Sequence, residues 1–248
     1  MKHLLLIMLA AVLTLCVLPA PAAEADSVGR LVVNNVDVFS AADMQDVLGD
    51  GTVSFDRETG VLTLRDAKLT QGYSMDSWAE HPLIFFDGQL TIHLCGSNVI
   101  SAGTETVMEQ ELRLNAIYGQ DLTITAEPDA LLEVQGMLQL NSFTQEGGAV
   151  SVTMQNDHPQ IVKWALYAYD AITLNGGTLT AASTGAKRGG ALMLDEGGTF
   201  RAADGALFAE GDEGPGETVP APAFEGELSK TSRDFIKVTL PEAGQAGL

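Results

Sequence analysis

Apolar and polar residues alternate in short runs along most of the chain beyond residue 50. The runs include "TVSF", "VLTL", "LTIHL", "LTIT", "VSVTM" and "GTLTA", with Gly, Asn or Asp between them. A period of two predicts β-strands, and the intervening residues predict tight turns. Long helical patterns are missing after the apolar N-terminal segment, so the pattern predicts an all-β protein.

One phrase occurs three times, as "LIFFDGQLTI" (83–92), "AIYGQDLTIT" (116–125) and "ALYAYDAITL" (165–174). The first and third copies match without a gap, and the second is one residue shorter. We predict that each copy forms one rung of a stack, because a single rung cannot bury its own apolar stripe. The residues expected to point inward are Ile84, Leu90, Ile92, Ile117, Leu122, Ile124, Leu166, Ile172 and Leu174.

A second repeat suggests the length of a rung. "GGTLTAAS" begins at Gly176 and "GGTFRAAD" begins at Gly197, 21 residues later, while "GGAVSVTM" begins at Gly147. Repeats of this size indicate a solenoid, and a strand-only unit of this length is shorter than the roughly 40 residues of a propeller blade. The predicted fold is therefore a single-stranded right-handed parallel β-helix, or β-solenoid, with rungs of roughly 21 residues.

The remaining organisation follows from local composition. Residues 26–210 form the predicted β-solenoid domain, with residues 26–72 as its N-terminal cap, because residues 49–72 contain two strand patterns around the turn "DRETG". Residues 211–223 are rich in Pro, Gly and acidic residues and are predicted to be a linker. Residues 224–248 are predicted to form C-terminal strands and a tail.

The N-terminus is typical of an export signal. Lys2 and His3 precede an apolar run, Leu4–Leu18, and small residues follow it. The run is shorter than the roughly 20 residues that span a bilayer, so residues 1–25 are predicted to be a cleaved signal peptide. No later run is long enough to span a membrane, and we expect an exported protein without a membrane span in its mature chain.

The charge restricts the possible partners. The formal net charge is −20, which argues against binding to nucleic acid or to anionic lipid. The acidic residues are scattered and are either a solvated surface or, for some of them, ligands of Ca²⁺ between loops. We interpret Cys95, the one cysteine after the signal, as a small residue on a strand, and His93 as a surface residue. We expect a monomer.

An enzyme is the less favoured alternative. A polysaccharide lyase needs a basic residue, and Lys187 and Arg188 are the one adjacent basic pair. A glycoside hydrolase needs two carboxylates at a defined separation, which the sequence does not identify. Motifs such as GxSxG and HExxH are absent. No catalytic residue is therefore predicted.

Aromatic residues are the candidates for sugar binding, because their flat faces stack on pyranose rings. Trp164, Tyr167 and Tyr169 form the first candidate platform, and Tyr167 and Tyr169 are predicted to share one strand face. Trp78 and Tyr73, in the loop "GYSMDSWAEH", form the second. The structural alternative is that these side chains fill the corners or the interior of the solenoid.

The stretches "LVVNNVDV", "DVLGDGTVSFDRETGVLTLRDAKLT", "IFFDGQLTIHLCGSNVIS" and "AIYGQDLTIT" resemble exported Gram-positive bacterial proteins described as carbohydrate-binding domain-containing. The resemblance implies a right-handed β-helix that binds polysaccharide or cell-wall glycan at the cell surface, often with calcium. "LPEAG" (240–244) resembles a sortase sorting signal with Ala243 in place of threonine, which would imply wall anchoring.

These features predict a secreted or cell-surface, non-catalytic carbohydrate-binding protein. The alternative is a structural or adhesive surface module that binds a protein or the cell wall. A polysaccharide lyase or hydrolase is the third possibility. All three share the predicted fold, and a fold alone does not determine function.

Overall fold

A computed structural model describes residues 28–73, 81–107, 110–156, 161–184, 189–211, 218–220 and 235–240. In this part of the chain the protein is all-β, with one short 3-10 helix (Val38–Ser40) and no α-helix, as the alternating pattern predicts. None of the described residues form a helix that is long and apolar enough to cross a membrane.

The strands are numbered in chain order. They are β1 Arg30–Val33, β2 Val36–Asp37, β3 Val53–Asp56, β4 Val61–Arg65, β5 Lys68–Leu69, β6 Ile84–Asp87, β7 Gln89–Cys95, β8 Ser97–Ser101, β9 Thr104–Val107, β10 Gln110–Arg113, β11 Asn115–Tyr118, β12 Asp121–Ala126, β13 Leu131–Gln135, β14 Met137–Gln145, β15 Ala149–Gln155, β16 Lys163–Leu174, β17 Thr178–Thr184, β18 Gly189–Leu194, β19 Thr199–Ala202, β20 Leu207–Gly211, β21 Thr218–Pro220 and β22 Phe235–Thr239.

The strands form two large, curled, mixed sheets and one separate hairpin. The first sheet has twelve strands, and within it β6, β11, β14, β16 and β18 pair in parallel, as do β4, β7, β12, β14, β16 and β19. The second sheet has eight strands, with β5, β8, β13, β15 and β17 in parallel. Antiparallel pairs, such as β3 with β4 and β17 with β22, lie at the ends.

The first two repeated phrases stack directly on each other, and β14 lies between the second phrase and the third. Ile117 pairs with Ile84 and Leu122 pairs with Leu90, so the second phrase is one residue shorter between its two strands. All nine residues expected to point inward are at most 1% exposed. Parallel, in-register strands place the same apolar position of each phrase against its neighbour, and this contact buries the stripe.

The predicted rung length of roughly 21 residues is wrong for the stack as a whole. Ile84, Ile117, Leu138 and Leu166 follow one another across the sheet and are 33, 21 and 28 positions apart in the sequence. Loops of different length connect the stacked strands, because insertions at the surface leave the packed positions unchanged.

The "GG" phrases are not all neighbours in space. Thr178, after Gly176, pairs with Ala149 in the second sheet, whereas Thr199, after Gly197, pairs with Ala171 in the first. The two phrases that are 21 residues apart therefore belong to strands of different sheets and are not successive rungs of one stack. The shared letters reflect a shared need for a glycine turn before a strand, since Gly177 and Gly197 both have positive φ.

Antiparallel strands close both ends of the main strand order of the first sheet and one end of the second sheet, whose other end is the parallel strand β5. The predicted hairpin around "DRETG" is present as β3 and β4, with Val53 paired to Leu64. Thr218–Pro220, within the predicted linker 211–223, forms β21 against β20. The residues of "LPEAG" after Leu240 lie outside the described residues, as does the predicted signal peptide, residues 1–25.

Asn98 ties one corner of the second sheet to its neighbour, and we expect Asn98→Ala to be destabilising. The side chain is fully buried; its Oδ1 accepts from the Ala67 N–H at 2.9 Å and its Nδ2 donates to the Cys95 carbonyl at 3.1 Å. Leaving these groups unpaired should lower the free energy of unfolding by about 1–3 kcal/mol in urea titrations. Asn175→Ala, at an exposed asparagine, is the matched control and should change it by less than about 0.5 kcal/mol. Equal effects would contradict this role.

Candidate functional site

The third residue of every repeated phrase is aromatic: Phe85, Tyr118 and Tyr167. Phe85 pairs with Tyr118, Tyr118 with Gln139, and Gln139 with Tyr167. Each of these residues follows a fully buried position of its own strand, so the alternation of a strand turns it to the outer face. Phe85, Tyr118, Gln139 and Tyr167 therefore form one row across the first sheet, which we call the aromatic row.

The rings at one end of the aromatic row are stacked. The ring centroids of Phe85 and Tyr118 are 6.1 Å apart with an interplanar angle of 9°. Tyr73 extends the row, with its centroid 6.1 Å from that of Phe85. The Arg30 guanidinium lies 5.0 Å from the Tyr73 ring centroid and 5.6 Å from that of Phe85, and it donates to the Tyr73 hydroxyl. These cation–π contacts hold the end of the row in place.

A second, polar set of side chains lies beside the aromatic row. Asp87, Gln120 and Tyr169 are the fifth residues of the three phrases, and Asn141 comes two positions after Gln139. Gln120 follows the end of β11, the other three lie on strands, and all four line one cleft. These four residues, which we call the polar row, offer a carboxylate, two amides and a phenol.

A cleft of about 200 Å³ lies between the two rows. Gly119 is required in its lining, because a Cβ atom there would collide with the Phe86 ring. Any side chain at this position would push the ring or fill the cleft. The lining residues are Phe86, Asp87, Tyr118, Gly119, Gln120, Gln139, Asn141 and Tyr169.

Hydrogen bonds orient the side chains that line the cleft. Gln139 Nε2 donates to the Tyr169 hydroxyl at 3.0 Å. Gln120 Oε1 accepts from the Gly88 N–H at 2.9 Å, which directs its Nε2 donor group away from that backbone. The cleft thus has amides with defined orientations beside an aromatic wall, and such placed polar groups give a binding site its specificity.

Tyr167 and Tyr169 lie side by side, as their spacing predicts. Their ring centroids are 4.6 Å apart, and Tyr169 is 37% exposed whereas Tyr167 is half-buried. Burial raises the pKa of Tyr167 to about 12, with smaller contributions from Tyr169 and Asp195. The Tyr167 phenol is therefore uncharged at neutral and moderately alkaline pH.

The structure brings together some of the predicted sugar-binding residues. Tyr169 lines the cleft, Tyr167 contacts Tyr169, and Tyr73 lies at the opposite end of the aromatic row. Trp164 is half-buried, pairs with Gly190 and does not line the cleft. Trp78 lies outside the described residues, as do Lys187 and Arg188, which were the candidate lyase bases.

Sequence reasoning missed the centre of the site. Phe85, Tyr118, Gln120, Gln139 and Asn141 were not predicted to be functional. A signal for two of them was available, because aligning the three phrases places an aromatic residue at the third position of each copy. The amides of Gln139 and Asn141 had no such signal, since β14 does not repeat the phrase.

A separate group could hold a metal ion. One ligand atom each from His93, Cys95 and Glu127 lie within 4.8 Å of one another, and this is the group of that kind found in the part of the chain that the structure describes. His93 lies on the outward side of β7, as the alternation predicts, and is half-buried there with its Nδ1 3.0 Å from Thr125 Oγ1. Nitrogen and sulfur donors do not suit Ca²⁺, which prefers oxygen ligands.

Comparison with known proteins identifies no relative of this chain. No protein-family model, no curated protein and no solved structure matches the chain. The interpretation of the cleft and of the His93 group therefore depends on their own geometry and chemistry.

Proposed function

We propose that the protein is a secreted or cell-surface, non-catalytic carbohydrate-binding protein that holds a polysaccharide in the cleft between the aromatic row and the polar row. The observation that carries this proposal is the placement of oriented amides and a carboxylate directly beside aromatic rings on one sheet face. Residues 1–25 would direct export, and the resemblance to carbohydrate-binding domain-containing proteins points to the same function.

The chemistry of the cleft matches the two kinds of surface on a sugar. The C–H face of a pyranose ring packs against an aromatic ring, for which Tyr118 and the exposed Tyr169 are available. Sugar hydroxyls both donate and accept hydrogen bonds, and the amides of Gln120, Gln139 and Asn141 do the same. A volume of about 200 Å³ would hold about one sugar ring, below the roughly 300 Å³ of the smallest usual ligand pockets.

The lining favours an uncharged glycan. Among the described residues that line the cleft, Asp87 is the one carboxylate and none is Lys, Arg or His. Arg30 pairs with Asp87 across β1 and β6, but its guanidinium lies over the rings of Tyr73 and Phe85 and does not line the cleft. A uronate would therefore meet Asp87 without a cation in the lining, and neutral sugars are the better ligands. A glycoside hydrolase would need a second carboxylate at roughly 5–10 Å across the bound sugar, and this lining does not supply one.

We further propose that the chain winds as a single-stranded right-handed parallel β-helix. Five passages of the chain run from the first sheet to the second, and each stacks on the previous one. They are β4 to β5, β7 to β8, β12 to β13, β14 to β15 and β16 to β17. A glycan lying along the rows would then run parallel to the helix axis, over strands about 4.8 Å apart.

A pull-down with purified protein tests the function. Cellulose, xylan, pectin and peptidoglycan are each incubated with the protein, with Ca²⁺ or with a chelator, and soluble products are assayed in the same tubes. We expect retention on a neutral polysaccharide without products. Release of products would contradict a non-catalytic role. Absence of retention on every polysaccharide would contradict carbohydrate binding and favour the structural or adhesive module.

Tyr169→Ala is expected to reduce this retention, because it removes the exposed ring and the phenol that Gln139 contacts. We expect about a fivefold lower affinity, in line with about 1 kcal/mol for one aromatic contact. Depletion isotherms on the retained polysaccharide measure it. Tyr169→Phe, which keeps the ring, is the matched control and should retain most of the affinity. Equal losses for both variants would show that the hydroxyl, not the ring, binds the ligand.

A further inference from the structure

We propose that His93, Cys95 and Glu127 form a binding site for a divalent transition-metal ion of the zinc class. None of the three residues lines the cleft, and the site does not depend on the proposed carbohydrate binding. One ligand atom from each residue lies within 4.8 Å of the other two. Tetrahedral ligands at about 2.0–2.3 Å from a common ion are roughly 3.3–3.8 Å apart, so the three side chains would close around the ion by up to about 1 Å.

Backbone pairing places the three residues together. His93 and Cys95 are two positions apart on β7 and therefore project from the same face. β12 runs parallel to β7 with Thr125 paired to His93, and the Glu127 N–H donates to the Leu94 carbonyl at 2.9 Å. Continuing this register sets Glu127, the residue directly after β12, beside Cys95, where its backbone bond to β7 holds it.

The donor set is one that zinc-class ions prefer. Thiolate, imidazole and carboxylate are all zinc ligands, and three protein ligands leave a fourth tetrahedral position for water. The Cys95 sulfur and a Glu127 carboxylate oxygen lie within 4.8 Å of each other. On binding, the thiol proton passes to solvent and a sulfur–metal bond forms. The thiolate and the carboxylate together then balance the two positive charges of the ion.

Neighbouring side chains support this arrangement. The Thr125 hydroxyl lies 3.0 Å from His93 Nδ1 and holds the imidazole in one orientation, as outer-shell partners do for metal-binding histidines. Arg65 pairs with Cys95 on the other side, from β4, and its charge favours the thiolate. Burial raises the pKa of the Cys95 thiol, with a smaller contribution from the Glu127 carboxylate, so metal binding at neutral pH displaces a proton.

Cobalt substitution of the full chain tests the site. Cys16→Ser is introduced first so that Cys95 is the one thiol, and Co²⁺ is titrated while the sulfur-to-cobalt charge-transfer absorption is followed; Zn²⁺ is then added as a competitor. We expect about one equivalent of Co²⁺ to produce the band, Zn²⁺ to abolish it, and Cys95→Ser to prevent it. Absence of a thiolate band when all three ligands are intact would overturn the proposal.

Two further variants separate a built site from an isolated reactive thiol. His93→Gln and Glu127→Gln should each weaken Co²⁺ binding at least about tenfold. Glu133→Gln, at an exposed carboxylate on the neighbouring strand β13, is the matched control and should leave the affinity unchanged. Circular dichroism in chelator confirms that each variant is folded. If His93→Gln and Glu127→Gln bind Co²⁺ as tightly as the Glu133→Gln control, the proposal is overturned.

Discussion

Phe143→Ala is expected to lower the free energy of unfolding by about 3–5 kcal/mol, a large part of the roughly 5–15 kcal/mol that stabilises a typical domain. Phe143 is fully buried in the row of apolar residues that runs across the first sheet, between Leu122 on β12 and Ile172 on β16. Truncation removes the apolar surface that Phe143 buries and leaves a cavity between two strands. The strands cannot close that cavity, because their backbone hydrogen bonds hold them apart.

Urea unfolding followed by circular dichroism measures the effect. Phe143→Leu is the matched control, since it keeps most of the volume, and should cost about 1 kcal/mol. The slope of the free energy against urea concentration should be the same for both variants, because they unfold the same surface. A loss below about 1 kcal/mol for Phe143→Ala would contradict tight stacking of Leu122, Phe143 and Ile172.

Tyr118→Ala is expected to weaken glycan binding at least tenfold, or about 1.4 kcal/mol. Tyr118 is the central residue of the site, because its ring stacks on Phe85 and also lines the cleft. Its removal takes away the wall against which a sugar ring would pack and leaves Phe85 without its stacked partner. A residue at the centre of a binding site usually contributes more than one at its edge, so the loss should exceed that of Tyr169→Ala.

Calorimetric titration with an oligosaccharide of the retained polysaccharide measures this affinity. Tyr118→Phe preserves the ring and its stacking and should stay within about threefold of the wild type, which corresponds to about 0.7 kcal/mol. Thermal unfolding of each variant without ligand shows whether the sheet is intact. An unchanged affinity for a folded Tyr118→Ala variant would place the ligand outside the cleft.

The local pattern predicted the strands and their buried faces well. Alternation at Ile84, Ile117 and Leu166 has a period of two that depends only on backbone geometry, and all three are fully buried. The one-residue slip in the second phrase was also visible in the sequence and appears in the pairing of Leu122 with Leu90. The hairpin at "DRETG" was predicted for a similar reason, since turn and strand signals are both local.

The pattern was a poor guide to which strands are neighbours. The phrases at Gly176 and Gly197 look alike but belong to different sheets, because a glycine turn precedes a strand wherever the chain changes direction. β14 does not resemble the repeated phrase, yet it lies between β11 and β16. Stacking requires apolar residues of suitable size at the paired positions, and many sequences satisfy that requirement.

The candidate cleft was predicted only in part. Tyr167 and Tyr169 were recognised because they are two residues apart on one strand, which places them on the same face. Trp164 was grouped with them from its proximity in the sequence, but it does not line the cleft. Tyr73 was assigned to a separate loop, whereas it contacts Phe85 at the end of the aromatic row.

The sequence by itself determined the fold class, the buried faces of the strands and the acidic, aromatic-poor character of the chain, because these follow from local periodicity and composition. Tertiary structure alone decided that Gln139 lies between Tyr118 and Tyr167, and that Glu127 lies beside His93 and Cys95. The physical reason is register. Each candidate site is built from residues of several strands. Loop lengths determine which residues of those strands align, and the alternating pattern of the strands does not contain that information.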